Sequence, residues 1–163
     1  HNDSETGVAN AMEAVRAGAI HVQGTINGFG ERCGNCNLVS VIANILKKTE
    51  LTCLADPEQL KKLKAVSQFV NEQANLRDNQ RAAYVGDSAF AHKAGMHVDG
   101  VRKAAASFEH VPPDEVGNSR RILISELSGA SNVMEKLLEM GLDNIDRKSP
   151  EIRDILSLSL IHI

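Results

Sequence analysis

The order of residue patterns over the first 48 residues constrains the fold most strongly. Apolar residues recur at helical spacing over 5–17, and Gly18 follows where a helix commonly ends. Residues 20–26 then alternate with period two and are rich in β-branched side chains, which predicts a strand. A glycine-rich loop and a second helical pattern over 38–48 come next. This order is the repeating unit of an α/β protein with a parallel sheet.

A helix start signal follows at residues 56–59. Asp56 is a suitable N-cap, Pro57 occupies the first helical position and Gln59 completes a capping box. We predict a helix from here to about residue 74, ended by a polar linker over 75–81. Its predicted apolar stripe consists of Leu60, Leu63, Val66, Phe69 and Val70.

The remaining sequence predicts mainly helices joined by short loops. A short helix is expected over about 91–103 and another over about 132–140, where Gly141 ends it. Between them lie a diproline loop and an apolar stretch over 122–127. A last helix is expected to begin at Ser149 and Pro150.

Composition excludes several classes of partner. The 163 residues carry 18 basic and 21 acidic side chains, a net charge of −3, so there is no electrostatic reason to expect nucleic acid or an anionic membrane. No apolar run reaches the roughly 20 residues that span a bilayer, and the first residues lack the charged and apolar regions of a signal peptide. Three cysteines without a secretory signal favour reduced thiols. We therefore expect a cytoplasmic protein whose partners are small molecules or a second copy of itself.

The loop over residues 28–35, GFGERCGN, is a candidate site between a predicted strand and a helix. Glycines allow backbone to approach a ligand, and a helix N-terminus attracts anions. The spacing does not match a dinucleotide fingerprint, because the third glycine falls at Gly34, and Glu31 and Arg32 would crowd a pyrophosphate. A plain turn is the alternative, but Glu, Arg and Asn in so tight a loop favour a site.

Cys33 and Cys36 have the CxxC spacing of redox and zinc centres. A structural zinc needs two more ligands nearby, and Cys53 is the only other cysteine. We favour an accidental spacing and keep a small redox or binding module as the alternative.

His92 and His97 are flanked by small residues that leave room for a ligand. A gap of five residues does not place two imidazoles on one helix face, so they are not expected to bind one metal together. Each is interpreted first as a hydrogen-bonded packing histidine. Asp99, two residues after His97, favours a functional role for His97, because a carboxylate can orient an imidazole.

Four motifs taken together resemble one family. They are HND at 1–3, VQGTINGFGERCGNCNL at 22–38, SAFAHKAGMHVDGV at 88–101 and FEHVPPDEVGNSRRILISELSGASN at 108–132. They are similar to the acyl-CoA condensing synthases that include citramalate, 2-isopropylmalate and homocitrate synthases. GERCGN, SAFAHK and FEHV look most like the citramalate synthase branch. The resemblance implies an α/β fold: the C-terminal part of a (β/α)₈ TIM barrel followed by mainly helical accessory subdomains.

The resemblance also implies an activity. Such a transferase condenses acetyl-CoA with a 2-oxo acid and hydrolyses the thioester to free CoA. For the citramalate branch the oxo acid is pyruvate, and the alternatives are 2-isopropylmalate and homocitrate synthases. A divalent cation, Mg²⁺, Mn²⁺ or Zn²⁺, is implied as cofactor. A cytoplasmic homodimer in isoleucine or leucine biosynthesis is expected, with the accessory region reaching the partner's active site.

The family's motifs assign candidate residues. His1 and Asn35 correspond to metal ligands, while His97 and Asp99 correspond to a functional pair near the acetyl-CoA thioester. Glu31, in the glycine-rich loop, is the third candidate catalytic residue. No residue is assigned to cofactor binding. The family commonly has Tyr where this chain has Phe108, which keeps the ring and loses the hydroxyl.

We predict four segments from these matches. Residues 1–48 are the end of the barrel, 49–83 the linker and first accessory helix, 84–155 the second accessory subdomain, and 156–163 an uncharged, non-native tail. The other expected metal ligands lie upstream of His1. We therefore expect the chain alone to be inactive, to lack a tight metal site and to be poorly stable.

Overall fold

The computed structural model describes residues 1–93, 95–123, 130–142, 146 and 149–161. It divides into two compact units. The first comprises His1–Ala89 and Pro113–Ser119, and the second comprises Phe90–Pro112 and Arg120–Ile163. The four-segment division of the sequence stays a prediction.

The first unit is built around two helices, α1 (Gly7–Arg16) and α2 (Leu38–Lys48). Both match the sequence prediction. Gly18 has a φ of 104°, which suits a helix end, and the Asn37 side chain accepts a hydrogen bond from the Val39 N–H at 3.0 Å at the start of α2. Their packed apolar core consists of Met12, Cys36, Val41 and Ile45, with Val8, Ala11, Val15 and Val22 around it.

The predicted strand over residues 20–26 is wrong. The described segment forms a single parallel bridge, Thr25 with Asn37, and a 3₁₀ turn at Ile26–Gly28. Ile20 is fully exposed. A parallel strand needs neighbouring strands to receive its backbone hydrogen bonds, and the alternating pattern alone does not supply them.

The helical segment after Asp56 forms in two parts. A 3₁₀ helix at Pro57–Lys62 leads into α3 (Leu63–Gln73), and Asp56 accepts a hydrogen bond from the Glu58 N–H at 3.0 Å. The predicted stripe is partly wrong: Leu60 and Leu63 are buried, but Val66 and Phe69 are exposed, and Ser67 takes the buried position. The tighter 3₁₀ turn changes the phase of the following helix, so the buried face moves.

The second unit contains a two-stranded parallel sheet and three helices among its described residues. Strand β1 (Ala91–His92) pairs with β2 (Arg121–Ile122), in the register Ala91 with Arg121 and His92 with Ile122. The helices are α4 (Gly95–Lys103), α5 (Ala130–Glu139) and α6 (Pro150–Ile161). Short 3₁₀ turns occur at Ala105–Ser107 and, in the first unit, at Pro113–Val116.

These elements modify the predictions for the second half. The helix expected from residue 91 begins only at Gly95, because β1 occupies its first two residues. Gly141 follows α5 with a φ of 76°, and α6 begins at Pro150, as predicted. Residues 124–127 of the apolar stretch lie outside the described part. None of the described helices combines the length and apolar character needed to cross a bilayer.

Candidate functional site

The glycine-rich loop of the first unit is closed by its own backbone. The Asn35 N–H donates to the Gly28 carbonyl at 2.9 Å, and the Gly34 N–H donates to the Glu31 carbonyl at 3.1 Å. Gly34 has a φ of 90°, and a Cβ there would overlap the Gly28 carbonyl oxygen. Only glycine meets both conditions at this position. The turn therefore holds Asn35 at the start of the segment that enters α2.

His1 and Asn35 line one cleft of about 610 Å³. The Asn2 N–H donates to the Gly34 carbonyl at 2.9 Å and so anchors the segment beside His1 to the loop that carries Asn35. The cleft is completed by Val22, Gln23, Gly24, Cys36 and Leu38. The structure thus brings the two predicted metal ligands to the same cavity.

An imidazole nitrogen and an amide oxygen suit a divalent cation of the predicted kind. Within the described residues, however, no group of three or more His, Cys, Asp and Glu side chains could hold an ion. His1 and Asn35 fit as part of a ligand set and do not complete one. Their assignment as ligands stays a prediction.

Glu31 lies on the outer side of the loop, with 81% of its side chain exposed. Its neighbour Arg32 forms an ion pair with Asp3 at 3.0 Å and approaches Glu31 at 3.7 Å. Arg32 therefore links the loop to the N-terminal segment. Nothing in this unit orients Glu31 toward the cleft, and its catalytic role stays a prediction.

The two cysteines of the CxxC pattern have different environments. Cys33 is exposed, whereas Cys36 is buried and its thiol donates to the Gly7 carbonyl at 3.4 Å. Burial raises the pKa of the Cys36 thiol, which opposes thiolate formation. This environment suits a packing residue better than a redox centre.

In the second unit, α4 carries the predicted pair His97 and Asp99. The side chain of His97 lies outside the described part. The Asp99 carboxylate accepts a hydrogen bond from Lys103 Nζ at 2.7 Å, one helical turn away. A Cβ at Gly100 would overlap the Phe108 ring, so this ring lies directly on α4. The structure therefore brings Phe108 to the helix that bears both predicted residues.

An ionic cluster of His92, Glu109 and Arg120 lies beside β1 and β2. Arg120 Nε donates to Glu109 Oε1 at 2.7 Å and Arg120 Nη2 to Oε2 at 2.6 Å, a two-bond arrangement. His92 Nε2 lies 2.9 Å from Glu109 Oε1. Only 3% of the Glu109 side chain is exposed. The Arg120 hydrogen bond above all, and then His92, hold the pKa of Glu109 below its usual range despite burial.

Sequence reasoning missed this cluster. His92 was interpreted as a packing histidine, and its hydrogen bond agrees with that, but Glu109 and Arg120 were not singled out. The available signal was a carboxylate within the FEHV motif, followed by two arginines before an apolar stretch. Its partners lie 17 and 11 residues away, beyond the range of local periodicity.

Two known families match consecutive parts of the chain. The family described as HMGL-like matches residues 1–70, and the family described as homocitrate synthase post-HMGL domain-like matches residues 84–157. The first part of the chain is therefore similar to the HMGL-like family. This is a TIM-barrel family, and the described helices with a small parallel sheet agree with an α/β fold.

Individual relatives extend over almost the whole chain. It is 50% identical over 156 residues to the (R)-citramalate synthase of Geobacter sulfurreducens, covering 96% of this chain, and 51% identical over 154 residues to that of Sulfolobus acidocaldarius, covering 94%. It is 37% identical over 147 residues, 88% of the chain, to the 2-isopropylmalate synthase of Methanocaldococcus jannaschii. The chain spans 29%, 29% and 27% of these relatives. The predicted family resemblance is confirmed.

Proposed function

We propose that this chain supplies the end of a (β/α)₈ barrel and the accessory region of an acyltransferase that makes citramalate from pyruvate and acetyl-CoA. The observation that carries the proposal is about 50% identity to (R)-citramalate synthases over nearly the whole chain. Identity to the 2-isopropylmalate synthase is lower, at 37%, and favours the citramalate branch.

The first unit has features expected of a barrel end. Its parallel bridge joins Thr25 to Asn37, directly before α2. An apolar cleft of about 460 Å³ lies beside α2, where further strands and helices could pack. The lining includes Val15, Ile20, Val22, Leu38, Val41 and Ile45. We infer that the remaining strands of the barrel cover this face.

The cleft with His1 and Asn35 is the proposed position of the 2-oxo acid. His1 and Asn35 would contribute ligands to a divalent cation, which when bound would polarise the carbonyl of the oxo acid. The chain's own contribution is positioning: the hydrogen bond from Asn2 to Gly34 keeps the two ligand-bearing segments together.

The reaction requires removal of a proton from the acetyl methyl group. The carbon then bonds to the carbonyl carbon of pyruvate, the carbonyl oxygen takes up a proton, and water hydrolyses the thioester to release CoA. We assign the proton transfers to His97, and Asp99, which lies on the same helix α4, is the second candidate residue. The Asp99 carboxylate pairs with Lys103 Nζ at 2.7 Å, one turn along this helix. We further propose a homodimer in which this region serves the partner's active site.

A chimera tests whether the chain carries this machinery. The matched 156 residues would replace their counterpart in the Geobacter sulfurreducens (R)-citramalate synthase, and release of the CoA thiol would be followed with and without pyruvate. We expect pyruvate-dependent turnover within about tenfold of the parent enzyme. A chimera with the parent's oligomeric state and circular dichroism but no pyruvate-dependent release would contradict the proposal.

The choice of oxo acid needs a second experiment, because discriminating residues are expected in the other barrel strands. The complete reading frame that encodes this chain would be expressed and assayed with pyruvate, 2-oxoisovalerate and 2-oxoglutarate. The highest kcat/KM is expected for pyruvate. Preference for 2-oxoisovalerate would assign the protein to the 2-isopropylmalate branch.

A further inference from the structure

The ionic cluster of His92, Glu109 and Arg120 takes no part in the bond changes described above. It nevertheless connects the chain segments of strands β1 and β2. His92 lies in β1, Arg120 immediately precedes β2, and Glu109 lies between them in sequence. The Arg121 N–H donates to the Phe90 carbonyl at 3.0 Å, and the Leu123 N–H donates to the His92 carbonyl at 2.9 Å. The cluster and the sheet therefore hold the same two strands.

The cluster is adjacent to both ends of the segment 93–108, which contains α4 and Phe108. β1 leads into α4 after two residues, so His92 anchors the start of the helix that carries His97 and Asp99. Phe108 directly precedes Glu109, and its ring lies on α4 at Gly100. Fixing Glu109 thus fixes the ring, and fixing His92 fixes the entry to the helix.

We propose that Glu109 is a positioning residue whose carboxylate, through His92 and Arg120, holds α4 and the Phe108 ring in the geometry that the proton transfer needs. The inference rests on the proposed function. Glu109 is not expected to touch substrate, since its two oxygens already accept three hydrogen bonds within the cluster.

The chemistry of the cluster favours positioning over general packing. An apolar trio of similar volume could fill the same space without fixing one geometry. A buried carboxylate with two donors from Arg120 and one from His92 admits few arrangements, because each donor must lie near a lone pair at about 2.6–2.9 Å. The cluster therefore fixes the direction of the chain at the end of β1 and at the start of β2.

The test uses the active chimera described above, with Glu109→Gln as the main variant. Gln keeps the size and one acceptor but loses the charge and the second carboxylate oxygen. We expect kcat to fall about 10- to 100-fold, since small displacements of a catalytic group cost this much. KM for pyruvate should change by less than about threefold, because pyruvate is assigned to the cleft of His1 and Asn35.

The matched control is Glu139→Gln. Glu139 pairs with Lys136 on the surface of α5, in the same unit. The substitution removes one negative charge, as Glu109→Gln does, but at an exposed position. It should leave both kcat and KM unchanged. An equal loss of kcat in the two variants would overturn the inference, as would a folded Glu109→Gln chimera with the kcat of the unsubstituted chimera.

A second pair of variants covers the case in which Glu109→Gln does not fold. His92→Gln retains an N–H that can reach Glu109, whereas His92→Ala retains none. We expect His92→Ala to lower kcat by about tenfold and His92→Gln to restore most of it. Equal kcat values for these two variants would overturn the inference. An inactive unsubstituted chimera, by contrast, would count against the proposed function itself.

Discussion

Gly34→Ala is the sharpest test of the loop that carries Asn35. Two costs arise at this position. The first is conformational: Gly34 has a φ of 90°, where an L residue pays about 1–2 kcal/mol. The second is steric, because the new Cβ would overlap the carbonyl oxygen of Gly28. Forcing a methyl group into a packed position costs a further 1–3 kcal/mol, approximately.

The steric cost can be separated because the chain offers a matched glycine. Gly18 also has a positive φ, 104°, but no described atom lies within 4 Å of a Cβ placed there. Gly18→Ala should therefore pay only the conformational cost of about 1–2 kcal/mol. The difference between the two variants measures the close approach of the loop backbone.

Hydrogen–deuterium exchange of the chimera, read by mass spectrometry, is the suitable assay because it reports local opening. In Gly34→Ala the overlap must displace the Gly28 carbonyl, which accepts the Asn35 N–H. The summed cost of about 2–5 kcal/mol predicts exchange of the 28–37 peptide at least about 30-fold faster. Gly18→Ala should leave that peptide unchanged.

The same displacement should affect turnover. Asn35 and the segment bearing His1 are joined through Gly34, so Gly34→Ala should lower CoA release by about 10- to 100-fold. Equal exchange of the 28–37 peptide in the two variants would refute the reasoning, because the loop would then tolerate the extra methyl group.

Three further predictions concern single side chains. Partners that lower the pKa of Glu109 below its ordinary 4.5 stabilise the folded state above that pH, and the contribution is lost as pH falls through the lower folded value. Glu109→Gln should therefore reduce the acid-induced fall in Tm below pH 4.5, relative to Glu139→Gln. Phe108→Tyr should raise kcat of the chimera by about tenfold, since it adds a proton donor beside α4. It should change the free energy of unfolding by less than about 0.5 kcal/mol. An unchanged kcat would show that the hydroxyl is dispensable. Cys36→Ala should retain full CoA release, because the buried thiol contributes packing; loss of turnover would revive the redox alternative.

Helices were predictable here because their signals are local. The Asn37 cap, the Gly18 and Gly141 ends and the Pro150 start each act within a few residues of the helix they limit. Strands were not predictable in the same way. Residues 20–26 have a strand pattern yet form one bridge, whereas β1 and β2, only two residues each, pair across about 30 residues of chain.

The candidate site, too, could be predicted from the sequence only in part. His1 and Asn35, which the motifs single out, line one cleft, because short-range hydrogen bonds close the loop that carries Asn35; their role as metal ligands stays a prediction. Exposure was not encoded in the motif, and Glu31 proved to lie on the outer side of the loop. A motif therefore identified which segments meet, while the direction of each side chain depended on backbone angles such as those of Arg32 and Gly34.

Glu109 shows why a buried charge is the hardest feature to infer. Two of its hydrogen-bond partners, His92 and Arg120, lie 17 and 11 residues away in sequence. They come together because β1 and β2 are parallel neighbours in the register His92 with Ile122. A one-residue slip would turn His92 to the opposite face of the sheet and remove its hydrogen bond to the carboxylate. The strand register and the ion pair therefore depend on each other, and together they fix the position at which α4 begins.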